Sequence, residues 1–505
     1  MSSIIWHNDD WTVFVIDGPG SITAAQVMKG QPVIYRIVSQ MARAKLWDPV
    51  KADDDWRWSP KMQKHHKEII SIITDALEEI SNALKTQPWC NERVTTHYQI
   101  STKLLQEIVD GHLVVKEIDT QNLVSTATAT NPVANHQPAG ANDTQAQSQN
   151  AGPEDQSNAN LVGNAHDGNL ATPQPIKSAL KPTNFYHNHR DYPIKILVRP
   201  ADSKIRSRPF WIPPHAAFLL SDCHDAHLLQ QSVQFMHGKH NHPDQFDLIL
   251  MDPPWPNSSA EDKGGYKTFP MVEDMNVMWL RMNLSSYMAP GCIVAVWITN
   301  REMVRDQVLG PGGLFDRWGV DLIEEWIWIK TTPNGVPLCP LDTEKRKPWE
   351  TLLVGRKSHN VPSTGNKSVQ RRVIAGAPDL HSRKPCLKEV FELFMKKKEG
   401  EYMALEIFAR ACVSGWWSWG DEAIKFNWEN FWQKAKENTD QEEKLGKEKQ
   451  DEEKQDEEKQ DEEKQDEENQ DEEKQGEEKQ DEEEQGEDEQ VTSKSGQKRK
   501  AVCLD

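Results

Sequence analysis

The sequence predicts an α/β fold for residues 183–432, with one mostly parallel sheet. Apolar runs of strand length alternate there with helical stretches. Leu248 to Met251 are all apolar, a pattern typical of a strand buried on both faces of a parallel sheet. A short amphipathic helix is expected within residues 386–398. The predicted strands are Ala217–Ser221, Phe246–Met251, Cys292–Ile298, Leu322–Ile329, Leu352–Gly355, Met403–Phe408 and Ala423–Phe426.

Residues 1–118 are predicted to form a small α+β region separate from this domain. A strand at residues 11–16 is expected to end in a turn at residues 17–20. Apolar residues at helical spacing predict one helix around residues 69–84 and another around residues 100–109. Nothing in this region indicates a function by itself.

Low-complexity sequence flanks the main domain. Residues 119–182 contain few large apolar side chains, so they are predicted to be a disordered linker. Residues 433–505 hold 30 acidic and 14 basic residues, with the pentad Asp-Glu-Glu-Lys-Gln repeated from Asp451. This acidic tail is expected to be disordered or a solvated single helix, and an interaction arm for a partner protein is the functional alternative.

The acidic tail carries most of the net charge of the chain. The chain has a net charge of −20 and the tail −16, so residues 1–432 carry only −4. The acidity of the chain therefore does not argue against a nucleic-acid partner. A basic run at Lys498 to Lys500 matches a nuclear localisation pattern and predicts the nucleus, with the cytoplasm as a second location.

Cysteine usage and hydropathy exclude several protein classes. Seven cysteines, none in a Cys-x-x-Cys spacing, predict a reducing, intracellular environment without structural zinc. His65 and His66 are expected to begin a solvated helix, and the histidines of residues 237–242 to be polar loop residues, so no metal is expected. No run of 18 apolar residues occurs, and we expect neither a membrane span nor a secretory leader.

The strand Phe246–Met251 runs directly into Asp252, Pro253, Pro254 and Trp255. Proline has no N–H for a strand ladder, so Pro253 ends the strand and places the motif at its carboxyl end. Ligands bind at that edge of open α/β sheets. The alternative is a plain turn, because Asp and Pro are common turn formers.

These residue types suit the activation of a weak nucleophile such as the exocyclic amine of adenine. Two acceptors aimed at its N–H bonds would localise the lone pair that the amine shares with the ring. The Asp252 carboxylate and the Pro253 carbonyl are the expected acceptors, and Trp255 is expected to stack on the purine. A methyl group on a sulfonium then needs only in-line approach.

A second predicted strand, Met403–Phe408, carries Glu406 near its end. A carboxylate at a strand end can accept from both hydroxyls of a ribose, as in dinucleotide folds. The alternative is a surface acid that happens to end a strand.

Four further stretches accompany the motif at Asp252, and they are Pro340–Gly355, His381–Pro385, Leu405–Arg410 and Gly415–Gly420. Together the five resemble the eukaryotic adenine-N(6) methyltransferases of the MT-A 70-kDa-subunit family. The resemblance covers residues 210–432. It implies a Rossmann-like domain in the circularly permuted arrangement of this class, with the catalytic motif before the cofactor strand.

The family resemblance also implies a methyl donor, S-adenosylmethionine, and a substrate, adenine in RNA or DNA, with small nuclear RNA favoured by analogy. Asp252 to Trp255 match the catalytic motif. Asp222 and Cys223 match the adenine end of the cofactor site, Lys384 its carboxylate end, and Glu406 with Arg410 its ribose clamp. Asn300 and Arg301 match a stretch that we place with the substrate.

Two departures from the family pattern concern the cofactor site. The family has Asn where this chain has Ala411 and Asp421, which removes amide donors from the cofactor site. The stretch after the motif, residues 258–263, also lacks the basic character seen in relatives. A catalytically silent nucleic-acid-binding subunit is therefore the alternative function.

A basic region compensates for that loss. Residues 330–384 contain eleven Lys and Arg against four Asp and Glu. We expect this region to contact phosphate, with a solvated loop surface as the alternative. The residues expected to bind nucleic acid are Lys345, Arg346, Lys347, Arg371 and Arg372.

Overall fold

The structure is a computed structural model that describes residues 2–48, 58–95, 113–118, 182–200, 206–255, 272–344, 346–358, 369–380 and 383–434. The strands are β1 (Ile4–His7), β2 (Val13–Ile16), β3 (Tyr35–Ser39), β4 (Val94–Thr95), β5 (Leu113–Ile118), β6 (Phe185–His187), β7 (Ile194–Pro200), β8 (Arg208–Ile212), β9 (Ala217–Leu220), β10 (Phe246–Met251), β11 (Met288–Ile298), β12 (Val320–Lys330), β13 (Trp349–Lys357), β14 (Gln370–Gly376), β15 (Ala404–Ile407), β16 (Trp416–Gly420) and β17 (Trp432–Lys434). The helices are α1 (Gly18–Ala24), α2 (Pro60–Leu84), α3 (Ala226–His240), α4 (Val272–Met282), α5 (Glu302–Leu309), α6 (Leu314–Trp318) and α7 (Lys388–Met395), with 3-10 turns at Leu284–Tyr287, Lys425–Asn427 and Glu429–Phe431.

Eleven of the described strands form one central sheet in the order β1-β2-β14-β12-β13-β11-β10-β15-β16-β9-β6. The strands β11, β10, β15, β16 and β9 are parallel. Strand β13 runs antiparallel to both of its neighbours, β11 and β12. The predicted α/β class is confirmed, with a sheet that is mixed in direction.

Strand β10 lies inside the parallel block, as its apolar sequence predicts. It pairs with β11 on one side and β15 on the other, and Leu248 to Met251 are each at most 6% exposed. Leu248 and Leu250 belong to the core on one face of the sheet, whereas Ile249 and Met251 belong to the core on the other. A strand buried on both faces holds the residue that follows it in a fixed position.

Helices cover both faces of the sheet. Apolar residues of α3, α4, α5 and α6 share the core of Ile249 and Met251, whereas Val390 and Phe391 of α7 pack on the face of Leu248 and Leu250. Helix α2 is capped by Ser59, whose side chain accepts from the backbone N–H of Met62, and it packs its apolar stripe on β2, β12 and β14. These layers leave the carboxyl ends of the parallel strands as the common edge for a site.

The N-terminal strands belong to the central sheet. Strand β2 pairs in parallel with β14, and β1 pairs with β2 at the edge. The described residues up to Lys434 accordingly belong to one compact unit. The sequence predicts a separate region that ends at residue 118, but the structure joins it to the main domain. The edge of β14 pairs with β2, whose four residues, Val13 to Ile16, are all buried.

Two predicted elements were wrong. Helix α1 follows Asp17 where a turn was expected, because Pro19 is compatible with the first helical turn and Asp17 precedes the helix in an extended conformation. The predicted strand Ala423–Phe426 is a turn that leads into a 3-10 segment. The side chain of Asn427 accepts from the backbone N–H of Cys412 and thereby fixes this non-extended segment.

Other predictions lie wholly or largely outside the described residues. These are the helix around residues 100–109, the linker and the acidic tail. Within the described ranges, no helix is long and apolar enough to cross a membrane. Those ranges also contain no cluster of three or more His, Cys, Asp or Glu side chains suited to a metal ion.

Candidate active site

Two acidic residues meet at the carboxyl edge of the sheet. Leu250 of β10 pairs with Glu406 of β15, and Asp252 follows β10 directly. Because the two strands are parallel neighbours, their carboxyl ends lie side by side. The apolar sequence of each strand therefore positions one carboxylate at the same edge.

A lysine holds the Asp252 carboxylate. The Nζ of Lys384 lies 2.6 Å from Oδ2 of Asp252 and 3.2 Å from Oε2 of Glu350. Nη1 of Arg410 lies 3.8 Å from the same oxygen of Asp252. Burial lowers the pKa of Lys384, but the charges of Asp252 and Glu350 outweigh it and raise the pKa above its ordinary value. Lys384 therefore stays charged.

Glu350 is a site residue that the sequence analysis did not select. It is the second residue of β13, which runs antiparallel, so the start of β13 lies beside the carboxyl ends of its neighbours. Its carboxylate pairs with Lys330 and Lys384. Burial raises the pKa of Glu350, but the two lysines outweigh that effect and hold it well below its ordinary range.

The pKa of Glu406 is shifted in the opposite direction to that of Glu350. Burial, and then the negative charge of Asp252, raise its pKa to about 8, although Arg410 and Lys384 oppose the shift. A carboxyl group with a raised pKa at the carboxyl edge of the sheet is a candidate for a ligand-binding role. Hydroxyl donors would stabilise its ionised form.

Trp255 takes a position that differs from the expected base platform. The residue is only 5% exposed, and its indole Nε1–H donates to the carbonyl of Trp297 at 2.7 Å. The Pro253 carbonyl accepts from the backbone N–H of Trp255 at 2.8 Å. In this arrangement Trp255 fixes the motif to β11, and the Pro253 carbonyl has one of its two lone pairs occupied.

Asp222, Cys223 and Asp421 lie near the ends of β9 and β16. Asp222 is exposed and accepts from the backbone and the ring of His224. Cys223 is buried, which raises the pKa of its thiol well above the ordinary value, and the negative charge of Asp421 adds to the shift. A buried neutral thiol is suited to packing rather than to ionic contact.

The strand ends at this edge pack tightly. Gly420 has φ +156°, and a Cβ there would lie 3.2 Å from the Cα of Phe408. Phe408, directly after β15, adopts φ +58°, a left-handed conformation that bulky residues rarely take. Such strain is found where surrounding structure fixes a functional loop.

Asn300 and Arg301 follow the end of β11. The Nδ2 of Asn300 donates to the carbonyl of Trp349 at 2.8 Å, which ties β11 to the start of β13. Arg301 precedes α5, and its carbonyl accepts from the backbone N–H of Arg305. Asn300 is therefore bonded to the residue adjoining Glu350.

The prediction that Arg371 and Arg372 contact phosphate is contradicted, because both side chains are paired with glutamates. Arg372 donates to Glu324 at 2.8 Å, and Arg371 lies 3.2 Å from Glu325. The side chains of Glu324 and Glu325 are only 9% and 2% exposed, so each carboxylate needs a cationic partner. Successive residues of a strand point to opposite faces of the sheet. Arg371 therefore neutralises Glu325 on one face, and Arg372 neutralises Glu324 on the other.

The other basic residues differ from one another. Lys347 is partly buried, and burial lowers its pKa. Arg346 is exposed and lies with its guanidinium 4.0 Å from the ring centroid of Trp47. Lys345 lies outside the described residues. Arg346 alone of the five expected phosphate contacts is described as an exposed cation.

Comparison with known proteins supports the assignment of this region. Residues 246–422 match the family model described as MT-A70. The N6-methyladenosine RNA methyltransferase MTA1 of Cryphonectria parasitica is 40% identical over 189 residues, 37% of this chain and 54% of that protein. The N(6)-adenine-specific methyltransferase METTL4 of Homo sapiens is 31% identical over 234 residues, 44% of each chain.

A third relative differs in its named substrate. The DNA N6-methyl methyltransferase of Caenorhabditis elegans is 28% identical over 216 residues, 42% of this chain and 53% of that protein. The chain spans about half the length of the curated relatives it matches. The matched part contains Asp252, Glu350, Lys384, Glu406 and Arg410.

Proposed function

Since residues 246–422 of the chain are an MT-A70 domain, as the motifs predict, we propose that the chain transfers a methyl group from S-adenosylmethionine to the N6 amine of adenine in nucleic acid. The observation that carries the proposal is the pair of carboxylates, Asp252 and Glu406, at neighbouring strand ends. The relatives' names support adenine as the methylated base and include RNA and DNA enzymes.

The side chains at this edge fit the methyl donor. S-adenosylmethionine is a zwitterion with a ribose, so it needs hydroxyl acceptors and a cation for its carboxylate. Glu406 would accept from the ribose hydroxyls and Lys384 would hold the carboxylate, with Arg410 beside both. Asp222 and Asp421 supply acceptors at the ends of the neighbouring strands. The bound donor supplies a methyl group on a positively charged sulfur.

Asp252 would accept an N–H bond of the target amine and receive the proton that the amine loses. Its carboxylate is now held at 2.6 Å by Lys384. If Lys384 bound the donor's carboxylate instead, Asp252 would be available as an acceptor for the target amine. The second acceptor would be the remaining lone pair of the Pro253 carbonyl.

We also propose a substrate and a location. The substrate is RNA, with a small nuclear RNA favoured, and the location is the nucleus. The permuted order of motifs, with Asp252 before Glu406, is part of the same proposal.

The test is nucleoside mass spectrometry on the full chain incubated with labelled S-adenosylmethionine and, separately, nuclear RNA and genomic DNA. Label in N6-methyladenosine, or in its ribose-methylated form, supports the enzyme and RNA. Label in the deoxynucleoside supports the enzyme with DNA as substrate. Label in neither would contradict the proposal.

The replacement of two family amides by Ala411 and Asp421 favours one second candidate, a silent nucleic-acid-binding subunit. Calorimetry with S-adenosylmethionine separates the two. Measurable binding favours the enzyme, whereas nucleic-acid binding without donor binding favours the silent subunit.

A further inference from the structure

A segment from the N-terminal part of the chain reaches from the end of β14 to the end of β12, at the carboxyl edge of the sheet. Residues 40–48 have neither helical nor strand structure, and we call them the arm. The backbone N–H of Gln40 donates to Asp379, beyond the end of β14, at 2.9 Å. The backbone N–H of Trp47 donates to the carbonyl of Leu338, beyond the end of β12, at 2.6 Å. The arm is therefore fixed near both ends.

The arm ends in a stacked pair. The guanidinium of Arg346 lies 4.0 Å from the centroid of the Trp47 ring, and the loop that carries it is anchored because Trp58 donates its Nε1–H to the carbonyl of Glu344 at 2.7 Å. An indole restricts the guanidinium to one plane while its N–H groups stay available. The pair thus presents a fixed, flat cation at the surface.

A continuous set of contacts joins this pair to the candidate active site. Lys330 lies 5.8 Å from the centroid of the Trp47 ring and forms an ion pair with Glu350. Glu350 contacts Lys384, which in turn contacts Asp252. The arm is consequently next to the edge at which the target adenine would be methylated.

The exposed side chains of the arm combine positive charge with apolar surface. Arg43 and Lys45 are exposed, and so are Met41 at 78% and Leu46 at 45%. Basic residues interleaved with flat or apolar surface are the combination that binds single-stranded nucleic acid, through phosphate contacts and base stacking. The position of the arm beside the candidate active site favours a nucleic-acid strand over a protein partner.

We propose that the arm, through Trp47 with Arg346 and through Arg43 with Lys45, binds the nucleic-acid strand that flanks the target adenine. The proposal rests on the proposed function, because it assigns a substrate surface to the same site. Arg346 would contact phosphate with its N–H groups and a base with its outer face.

The experiment measures fluorescence anisotropy of labelled single-stranded RNA and DNA oligonucleotides of the same sequence with the full chain. We compare Arg346→Ala, the double variant Arg43→Ala with Lys45→Ala, and Trp47→Phe. The matched control is Lys239→Ala. Lys239 is exposed and lies at the end of α3, the helix that leads into the amino end of β10, away from the carboxyl edge. S-adenosylmethionine binding is measured in parallel by calorimetry.

We expect Arg346→Ala and the double variant each to weaken oligonucleotide binding about tenfold. The slope of log affinity against log salt concentration should become shallower by about 0.7 for each phosphate that is no longer neutralised. The affinity for S-adenosylmethionine should not change, and KM for nucleic acid should rise more than kcat falls. Lys239→Ala should resemble the wild type. Trp47→Phe, which keeps a ring under the guanidinium, should have a smaller effect.

Unchanged oligonucleotide affinity in all the arm variants would overturn the proposal and leave a protein partner as the occupant. The two proposals fail separately. Methyl transfer with unchanged binding and KM in the variants would refute the arm and keep the enzyme, whereas weakened binding without transfer in any protein would keep the arm and refute the enzyme.

Discussion

The ammonium group of Lys384 lies 2.6 Å from Oδ2 of Asp252, so the acid that follows β10 is held by an ion pair. Lys384 also contacts Glu350 at 3.2 Å. The ion pairs hold the carboxylate of Asp252 at the carboxyl edge of the sheet, between Lys384 and Arg410. An anion that bound Lys384 in place of Asp252 would release Asp252 from this ion pair.

Replacing Asp252 with Asn should reduce methyl transfer about a hundredfold or more, because an amide is a weaker acceptor and cannot take the proton. S-adenosylmethionine binding should persist, since Glu406 and Lys384 remain. The measurements are single-turnover transfer and calorimetry. The control is Asp247→Asn, because Asp247 lies on the same strand and pairs with Lys397 at 2.8 Å, but at the amino end. Equal transfer by Asp252→Asn and wild type would refute the role.

The raised pKa of Glu406 predicts how stability changes with pH. Between its ordinary value of 4.5 and about 8, the native protein holds a proton that the unfolded chain releases. Stability contributed by this group is therefore present at low pH and falls as pH rises through that window, by at most about 1.4 kcal/mol per pH unit. Glu406→Gln should lack this loss, so its melting temperature should exceed that of the wild type at pH 8.5 and approach it at pH 5. Parallel pH profiles for the two proteins would contradict the prediction.

Trp255→Phe should destabilise the fold by about 1–3 kcal/mol, because it leaves the buried carbonyl of Trp297 without its donor. Denaturant unfolding measures the change. Trp279→Phe is the matched control, since Trp279 is 2% exposed and its Nε1 has no hydrogen-bond partner among the described residues. A cost for Trp255→Phe no larger than that for Trp279→Phe would show that the hydrogen bond contributes little.

Arg372→Ala should lower the free energy of unfolding by about 3–5 kcal/mol, because it leaves the buried Glu324 without a counter-charge. Oligonucleotide affinity of the folded protein should not change. Adding Glu324→Gln should restore part of the stability. A variant that is stable but binds nucleic acid weakly would instead support the phosphate contact that the sequence predicts.

Local sequence was sufficient to predict the two strands that carry Asp252 and Glu406. Strand β10 is an apolar run followed by Asp252, and β15 is a short apolar run that contains Glu406 near its end; the rule that parallel strands share a carboxyl edge brings the two acids together. The helix within residues 386–398 was predictable for the same reason, because its apolar residues recur at helical spacing and are buried as α7.

The remaining features depend on pairing between distant segments. Glu350 joins the site only because β13 runs antiparallel, and a strand's direction in a sheet is not a property of its own residues. Strand β14 begins with Gln370, Arg371 and Arg372, which resemble a solvated loop until Glu324 and Glu325 lie opposite. Trp255 offers an aromatic ring in the sequence, but its burial depends on packing against distant segments of the core and on the carbonyl of Trp297 that accepts its N–H.

The pairing of β2 with β14 has a consequence for how the protein is made. Val13 to Val15 leave the ribosome early, yet their partners, Val373 to Ala375, are synthesised only near the end of the sheet domain. During that interval the apolar N-terminal strand has no edge to join, and contacts between residues so distant in sequence form slowly. Strand β2 can therefore join the sheet only after β14 has emerged, and until then its apolar residues are open to aggregation.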